Sequence, residues 1–177
     1  MKKALKQWAL VALFAAIPVF TQAKDEQKLK DESAAAVAAF KTTDPTLISF
    51  FNNSVGYVIF PSVGKGGLVV GGAHGKGLVY QKDVLIGEAT LSMVSVGAQI
   101  GGQKYSEIIF FEDPATLDRF KEGNMELSAQ LSAVAAAEGA SKNAKYVNGV
   151  AIFTRAESGL MAEASVGGQK FSFKSIK

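Results

Sequence analysis

The spacing of apolar positions changes character along this chain. Between Lys24 and Phe40, Leu29, Ala36, Val37 and Phe40 fall on one face of a helix, with Lys24, Lys28, Lys30 and Asp31 opposite. The apolar stripe is thin and alanine-rich, which predicts a helix packed on the domain; a helix lying at a lipid interface is the sharper alternative. Thr42-Thr43-Asp44-Pro45 reads as a second helix start, Asp44 capping and Pro45 at the first helical position, with the helix running to about Asn52 and presenting Leu47, Ile48, Phe50 and Phe51. Phe50, Phe51 and Phe60 read as core aromatics rather than ligand contacts. From Val55 the spacing becomes strand-like. Tyr57–Phe60 is a short strand stopped by Pro61, and Gly67–Gly72 and Gly77–Gln81 form hairpin arms with Ala73-His74-Gly75-Lys76 as their turn. Lys82-Asp83 is a further turn. Glu88–Val96, Ala98–Ile100 and Ser106–Phe111 read as strands. Asp113-Pro114 starts a helix whose Leu117, Phe120 and Lys121 face inward or flank the core, and Gly123-Asn124 interrupts it. Met125–Ala137 reads as its helical partner, with Leu127, Leu131 and Val134 at helical spacing. Gly139–Asn143 is a loop, and Tyr146–Phe153, Leu160–Val166 and Phe171–Phe173 are three more strands. The predicted class is α+β: a curved, glycine-rich antiparallel sheet or partial barrel with an N-terminal helix and a helical pair at about Pro114–Ala137.

The first 23 residues read differently. Lys2, Lys3 and Lys6 precede an apolar run from Trp8 to Phe20 broken only by Pro18, and Thr21-Gln22-Ala23 offers small residues at the positions a signal peptidase reads. The run is short for a membrane span, and no cysteine follows it to carry a lipid anchor. The expected division is a signal peptide over 1–23, an N-terminal helix and linker over 24–44, and one domain over 45–177. The expected location is periplasmic after cleavage near Ala23, peripheral to a membrane. The leader takes three lysines and no acid from the chain's 19 basic and 16 acidic residues, so the remainder has sixteen of each and no net charge. Overall charge therefore gives no reason to expect nucleic acid.

With no cysteine and one histidine, His74, thiol catalysis, thiolate metal sites and multi-histidine metal sites are excluded. The region Gly56–Tyr80 invites a phosphate-loop reading, because Gly64-Lys65 and Gly75-Lys76 resemble its Gly-Lys step. Each lysine is followed by glycine rather than the metal-binding hydroxyl, and a β-prone run follows where the loop needs a helix. Glycines at 56, 64, 66, 67, 71, 72, 75 and 77 fit bulges, bends and close backbone approach in a curved sheet. A Ser-His-acid triad would have to use His74, and no Gly-x-Ser-x-Gly elbow exists. Glu112-Asp113 reads as a helix cap rather than a carboxylate pair. No enzyme, metal or cofactor is predicted. One echo stands out: Gly101-Gly102-Gln103-Lys104-Tyr105-Ser106 recurs as Gly167-Gly168-Gln169-Lys170-Phe171-Ser172. The two copies read as similar strand–turn–strand corners.

An ordered set of motifs carries a family resemblance: Pro45-Thr46-Leu47-Ile48 and Phe51; Gly56-Tyr57-Val58-Ile59-Phe60-Pro61; Lys65-Gly66-Gly67; Gly71-Gly72-Ala73-His74-Gly75-Lys76-Gly77; Ser95-Val96-Gly97-Ala98-Gln99-Ile100-Gly101-Gly102; Phe153-Thr154-Arg155; and Ser158-Gly159-Leu160-Met161-Ala162 before Gly167-Gly168. From about Pro45 to Lys174 the chain resembles the SYLF domain, also called the Ysc84 actin-binding domain. The Trp-Ser-x-Pro element of many members is replaced here by Ile86-Gly87-Glu88-Ala89. The resemblance implies a lipid-binding module without known catalysis. Eukaryotic members bind phosphoinositides and in some cases actin, neither of which is expected in a bacterial periplasm. The expected function is therefore phospholipid binding in the bacterial envelope through a sheet or turn surface, with Lys65, Lys76, Lys104 and Lys170 as candidate headgroup contacts. Those lysines read equally well as solvated turn residues. The alternative is a protein-interaction module, such as an envelope assembly or stress factor that uses its sheet edges.

Overall fold

The computed structural model describes residues 17–66, 70–96, 103–123, 125–128, 131–158 and 164–176. Among these residues, three α-helices, α1 (Ile17–Thr43), α2 (Ile48–Asn53) and α3 (Pro114–Lys121), accompany eight strands. These are β1 (Gly56–Gly66), β2 (Val70–Gln81), β3 (Val84–Val96), β4 (Gln103–Phe111), β5 (Ser132–Ala135), β6 (Val150–Ser158), β7 (Ala164–Ser165) and β8 (Lys170–Ser175). They form one sheet in the order β7-β5-β6-β4-β1-β2-β3-β8. The expected α+β class, the curved sheet and the N-terminal helix are all present. The sheet is mixed rather than purely antiparallel, because β5 runs parallel to β6.

Period-2 alternation along the long strands gives the sheet two buried faces. Inside the curve lie Val58, Phe60, Val63, Val79, Leu91, Ile109, Phe111 and Ile152, closed over by Leu117 and Phe120 of α3. Outside it, Tyr57, Ile59, Leu78, Ile108, Phe110 and Phe153 are covered by Ala36 and Phe40 of α1, by Leu47 and by Phe50 of α2. Leu29 and Val37 pack at the margin of that cluster, so the apolar stripe of α1 is spent on the sheet. Fully burying a Phe or Leu side chain contributes about 1.5–3 kcal/mol, which explains how so thin a stripe holds a 27-residue helix in place. Phe60 is in the inner core, and Phe50 and Phe51 belong to the outer cluster, as core aromatics should.

The two predicted helix starts are built as the sequence suggests. Asp44 accepts from the Thr46 amide and begins a short 3-10 turn (Pro45–Leu47) that leads into α2. Asp113 accepts from the Thr116 amide and caps α3 with Pro114 inside the first turn. The Lys82-Asp83 turn is also present, both residues having positive φ (48° and 64°), the geometry of a tight two-residue hairpin loop.

Four expectations are corrected. Met125–Ala137 is not the second member of a helical pair: α3 ends at Lys121, Gly123 sits at φ 72°, and the later residues include β5. Among the described residues there, Met125, Leu127, Leu131 and Ala133 are buried, and within each pair the spacing is two, so each described stretch lays alternate side chains into the core. Ala73–Lys76 is not a turn but the middle of β2, its residues paired on both sides by β1 and β3. Pro61 does not end β1. It sits where β1 carries an irregularity against both neighbours, between Ile59 and Ser62 on one side and Phe60 and Val63 on the other. A bulge tolerates the missing proline N–H, and Ser106 Oγ donates to the Pro61 carbonyl at 2.9 Å. Finally, Tyr146–Phe153 is interrupted by an Asn148-Gly149 turn with φ of 54° and 81°, so β6 begins only at Val150. The predicted strand Ala98–Ile100 and most of Leu160–Val166 lie outside the described residues.

The edge strands β7 and β8 are consecutive in the chain, joined by residues 166–169. Strand pairing leaves the sheet unclosed, yet that short connection brings its two margins together. Residues before β5 fill the seam: the Leu127 amide donates to the Gln169 carbonyl at 3.0 Å and the Gly168 amide to the Leu127 carbonyl at 2.7 Å.

Candidate functional site

The helices cover only part of the outer face. On the far side of the bulge at Pro61, the outward positions become polar: Ser62 and Gly64 on β1, His74 and Lys76 on β2, Thr90 and Ser92 on β3, Lys104 and Ser106 on β4, and Lys170 and Ser172 on β8. Strand register aligns several of them in a row. Lys104 stands opposite Gly64, Gly64 opposite His74, His74 opposite Ser92, and Ser92 opposite Lys170. Every member of this row is solvent-exposed. Alternate strands supply Lys104, His74 and Lys170, so neighbours among these three stand about 10 Å apart. A Cβ added at Gly64 would meet nothing within 4 Å, which leaves open space in the row.

The four lysines named from sequence are thus placed differently from one another. Lys104 and Lys170 share the row. Lys170 also lies 3.5 Å from Glu126, an exposed pair of the kind that solvent and salt weaken. Lys76 is one outward position further along β2 and faces a groove of about 780 Å³ beneath α1 that also holds Lys28, Lys174, Glu26, Glu32 and Glu88. With Asp25, four acids outnumber the three lysines in that groove, and Glu32 already pairs with Lys28 at 3.7 Å, so it is not a cationic pocket. Lys65 stands in β1 opposite Ala73 and Gln103, next to the row. The row itself was not legible from sequence, because its members come from strands far apart in the chain. The Gly-Gly-Gln-Lys echo was the available signal: its two lysines are Lys104 and Lys170.

The inner face holds a second polar group that sequence reasoning passed over. Glu107 and Gln169 are each fully inaccessible to solvent, and Tyr105 nearly so. Gln169 Nε2 donates to Glu107 Oε2 at 2.9 Å and lies 3.4 Å from the Tyr105 hydroxyl. Glu107 Oε1 and Gln169 Oε1 have no partner. Burial pushes the Glu107 carboxyl up to about 7, and the Gln169 hydrogen bond offsets this only in part. Burial, with the neighbouring Glu107, also pushes the Tyr105 hydroxyl up.

Asp44 is the opposite case. Burial pushes its carboxyl up, but hydrogen bonds from Thr46 and Ser141 outweigh that and hold it below the usual range. Its oxygens accept from the amides of Thr46 (3.1 Å), Gly139 (3.2 Å) and Ser141 (2.7 Å), tying the start of α2 to the 139–143 region.

Comparison with known proteins adds two findings. The Ysc84 family model, described as Las17-binding protein actin regulator, matches residues 92–175. "Beta cell expansion factor A" of Aeromonas veronii is 32% identical over 155 residues, covering 80% of this chain and 58% of that protein. The chain therefore spans little more than half the length of this curated relative.

Proposed function

The chain carries a domain of the Ysc84 (SYLF) family, and from that premise we propose that it is a phospholipid-binding protein of the bacterial envelope, meeting the membrane surface with the polar half of its outer sheet face. Domains of this family are associated with lipids or actin-related partners, and the signal-like N-terminus favours a secreted, periplasmic protein, where lipid is the available partner of the two. The observation that carries the reading is the row Lys104–Gly64–His74–Ser92–Lys170. A single small ligand is held by polar groups converging in a concave site. Two lysines about 19 Å apart on an open face, with polar side chains between them, suit an array of anionic headgroups instead. Lys76 extends that face toward α1. Nothing in this scheme requires a bond to be made or broken, so the protein is proposed to act by binding rather than catalysis.

Co-sedimentation with liposomes of phosphatidylglycerol, cardiolipin or phosphatidylethanolamine at low salt tests the proposal. Binding to the anionic vesicles supports it. No binding to any of them overturns it in favour of a protein partner, to be sought by crosslinking and pull-down from envelope extracts. The combined variant Lys76→Glu, Lys104→Glu, Lys170→Glu is expected to lose at least tenfold in vesicle affinity, since each reversal removes an attraction of about 1 kcal/mol and adds a repulsion. Unchanged affinity in a folded variant would remove the row as the contact surface.

A further inference from the structure

Glu107 lies on β4, in the middle of the sheet order, while Gln169 belongs to the connection that joins the two edge strands. Their 2.9 Å hydrogen bond therefore spans the interior, from the central wall to the seam. The same residue, Gln169, receives the Leu127 amide through its backbone carbonyl, and its neighbour Gly168 donates back to Leu127. The side-chain bond and the seam bonds share one short segment.

The chemistry of the pair is incomplete as an ionised carboxylate. Gln169 supplies a donor to one carboxylate oxygen, leaving Glu107 Oε1 and Gln169 Oε1 as two buried acceptors with nothing to accept from. Two acceptors cannot satisfy each other, and each orphaned buried group is costly. One proton resolves both. A protonated Glu107 donates O–H to the amide oxygen while its other oxygen keeps the amide N–H, the two-bond ring of a carboxylic acid and a primary amide.

We propose that Glu107 and Gln169 form a proton-operated latch across the rolled sheet: protonated, the pair exchanges two hydrogen bonds and holds the seam shut, and ionised, it keeps one bond beside an uncompensated charge and the seam loosens. The proton comes from and returns to solvent. The groups around the carboxyl do not supply a counter-charge. Across from Glu107 stand Phe60 on β1 and Thr154 on β6, and on its own strand the Tyr105 hydroxyl faces it, neutral throughout the range concerned. Arg155 pairs across from Ser106, whose hydroxyl, like that of Ser62, reaches toward Glu157, all on the opposite, outer face. This inference is independent of any lipid ligand.

Thermal unfolding of the full chain from about pH 5 to about pH 8.5 tests the latch, with Glu107→Gln as the deciding variant, because an amide at 107 reproduces the donor and acceptor of the protonated acid. Wild-type Tm is expected to fall by roughly 5–10 °C across that range. Glu107→Gln is expected to keep the acid-side Tm and lose most of the decline. An unchanged decline in the variant overturns the proposal. Carbon-13 NMR of the wild-type glutamate carboxyls tests the latch without any substitution: a Glu107 resonance titrating near neutrality supports it, and one titrating in the ordinary glutamate range overturns it. Hydrogen exchange separates a latch from a merely structural pair. With intrinsic rates corrected, the Leu127 and Gly168 amides are expected to lose protection at least tenfold more at high pH in the wild type than in Glu107→Gln. Equal protection in the two proteins would sink it.

Discussion

Neither Asp44 nor Glu107 has surface open to solvent, but Glu107 lies deeper in the core and the chain supplies the two unequally. Asp44 receives backbone amides from Thr46, Gly139 and Ser141, enough to stabilise the charged form. Glu107 receives one side-chain donor. Linkage then gives opposite signs. The Asp44 carboxyl is depressed in the folded state, so its stabilisation is present above its unfolded value of 3.8 and is lost as pH falls through the folded one. The Glu107 carboxyl is raised, so its contribution is complete below 4.5 and is lost as pH climbs to about 7. That loss amounts to about 3 kcal/mol. As far as these two groups set it, stability peaks near about pH 4–5. Asp44→Ala removes a helix cap and the acceptor of three amides, that of Ser141 buried and those of Thr46 and Gly139 partly so, and is expected to cost about 3 kcal/mol in urea unfolding at neutral pH. A cost below about 1 kcal/mol would show that water replaces the carboxylate there.

At the scale of elements, the bulge in β1 divides the outer face. On one side of Pro61, outward residues are Tyr57 and Ile59, packed under the helices. On the other they are Ser62 and Gly64. Glycine at position 77 serves the same bend from β2. A Cβ there would lie 2.5 Å from the Ile59 carbonyl and 2.6 Å from the Phe60 ring, so β1 and β2 approach too closely for any side chain. Gly77→Ala is therefore expected to destabilise by about 2–3 kcal/mol through overpacking, measured by chemical denaturation. An alanine variant as stable as wild type would mean that the bend is softer than the contacts imply. The Asn148-Gly149 turn shows the same logic at a strand start. Its two positive φ values suit a tight hairpin turn, and Val147 and Val150 exchange both backbone hydrogen bonds across it.

For the whole molecule, the consequence is a division of labour between faces. Among the described residues, the inner face is an apolar core crossed by the Glu107–Gln169 pair with the Tyr105 hydroxyl beside it, and the outer face is part core and part exposed polar surface. A binding surface made of exposed lysines acts through a screened field. Vesicle binding is expected to weaken steeply between low salt and about 0.5 M, where the screening length drops to a few ångströms. Salt-insensitive binding, measured by the same sedimentation assay, would instead point to apolar insertion as the dominant contact. Among the described residues, no helix is long and apolar enough to cross a membrane.

Local events were set by the amino-acid order alone. Helix starts at Asp44-Pro45 and Asp113-Pro114, the Lys82-Asp83 turn, the inward Leu117 and Phe120 and the β-prone runs were all legible, because caps, turns and alternation depend on residues within a few positions of one another. The family resemblance was legible for the same reason, since its motifs are contiguous. Met125–Ala137 misled because Leu127, Leu131 and Val134 satisfy a helical spacing locally, while the open inner face of the sheet rewards an extended segment. What the glycine-rich region does depends instead on how the strands assemble. Its glycines let strands pack closely round a bend, and register across five strands brings Lys104, His74 and Lys170 into one row. The meeting of Glu107 with Gln169 was likewise beyond the sequence. They are 62 residues apart, and nothing local to either marks the other, because what joins them is the curl that brings the two margins of the sheet together.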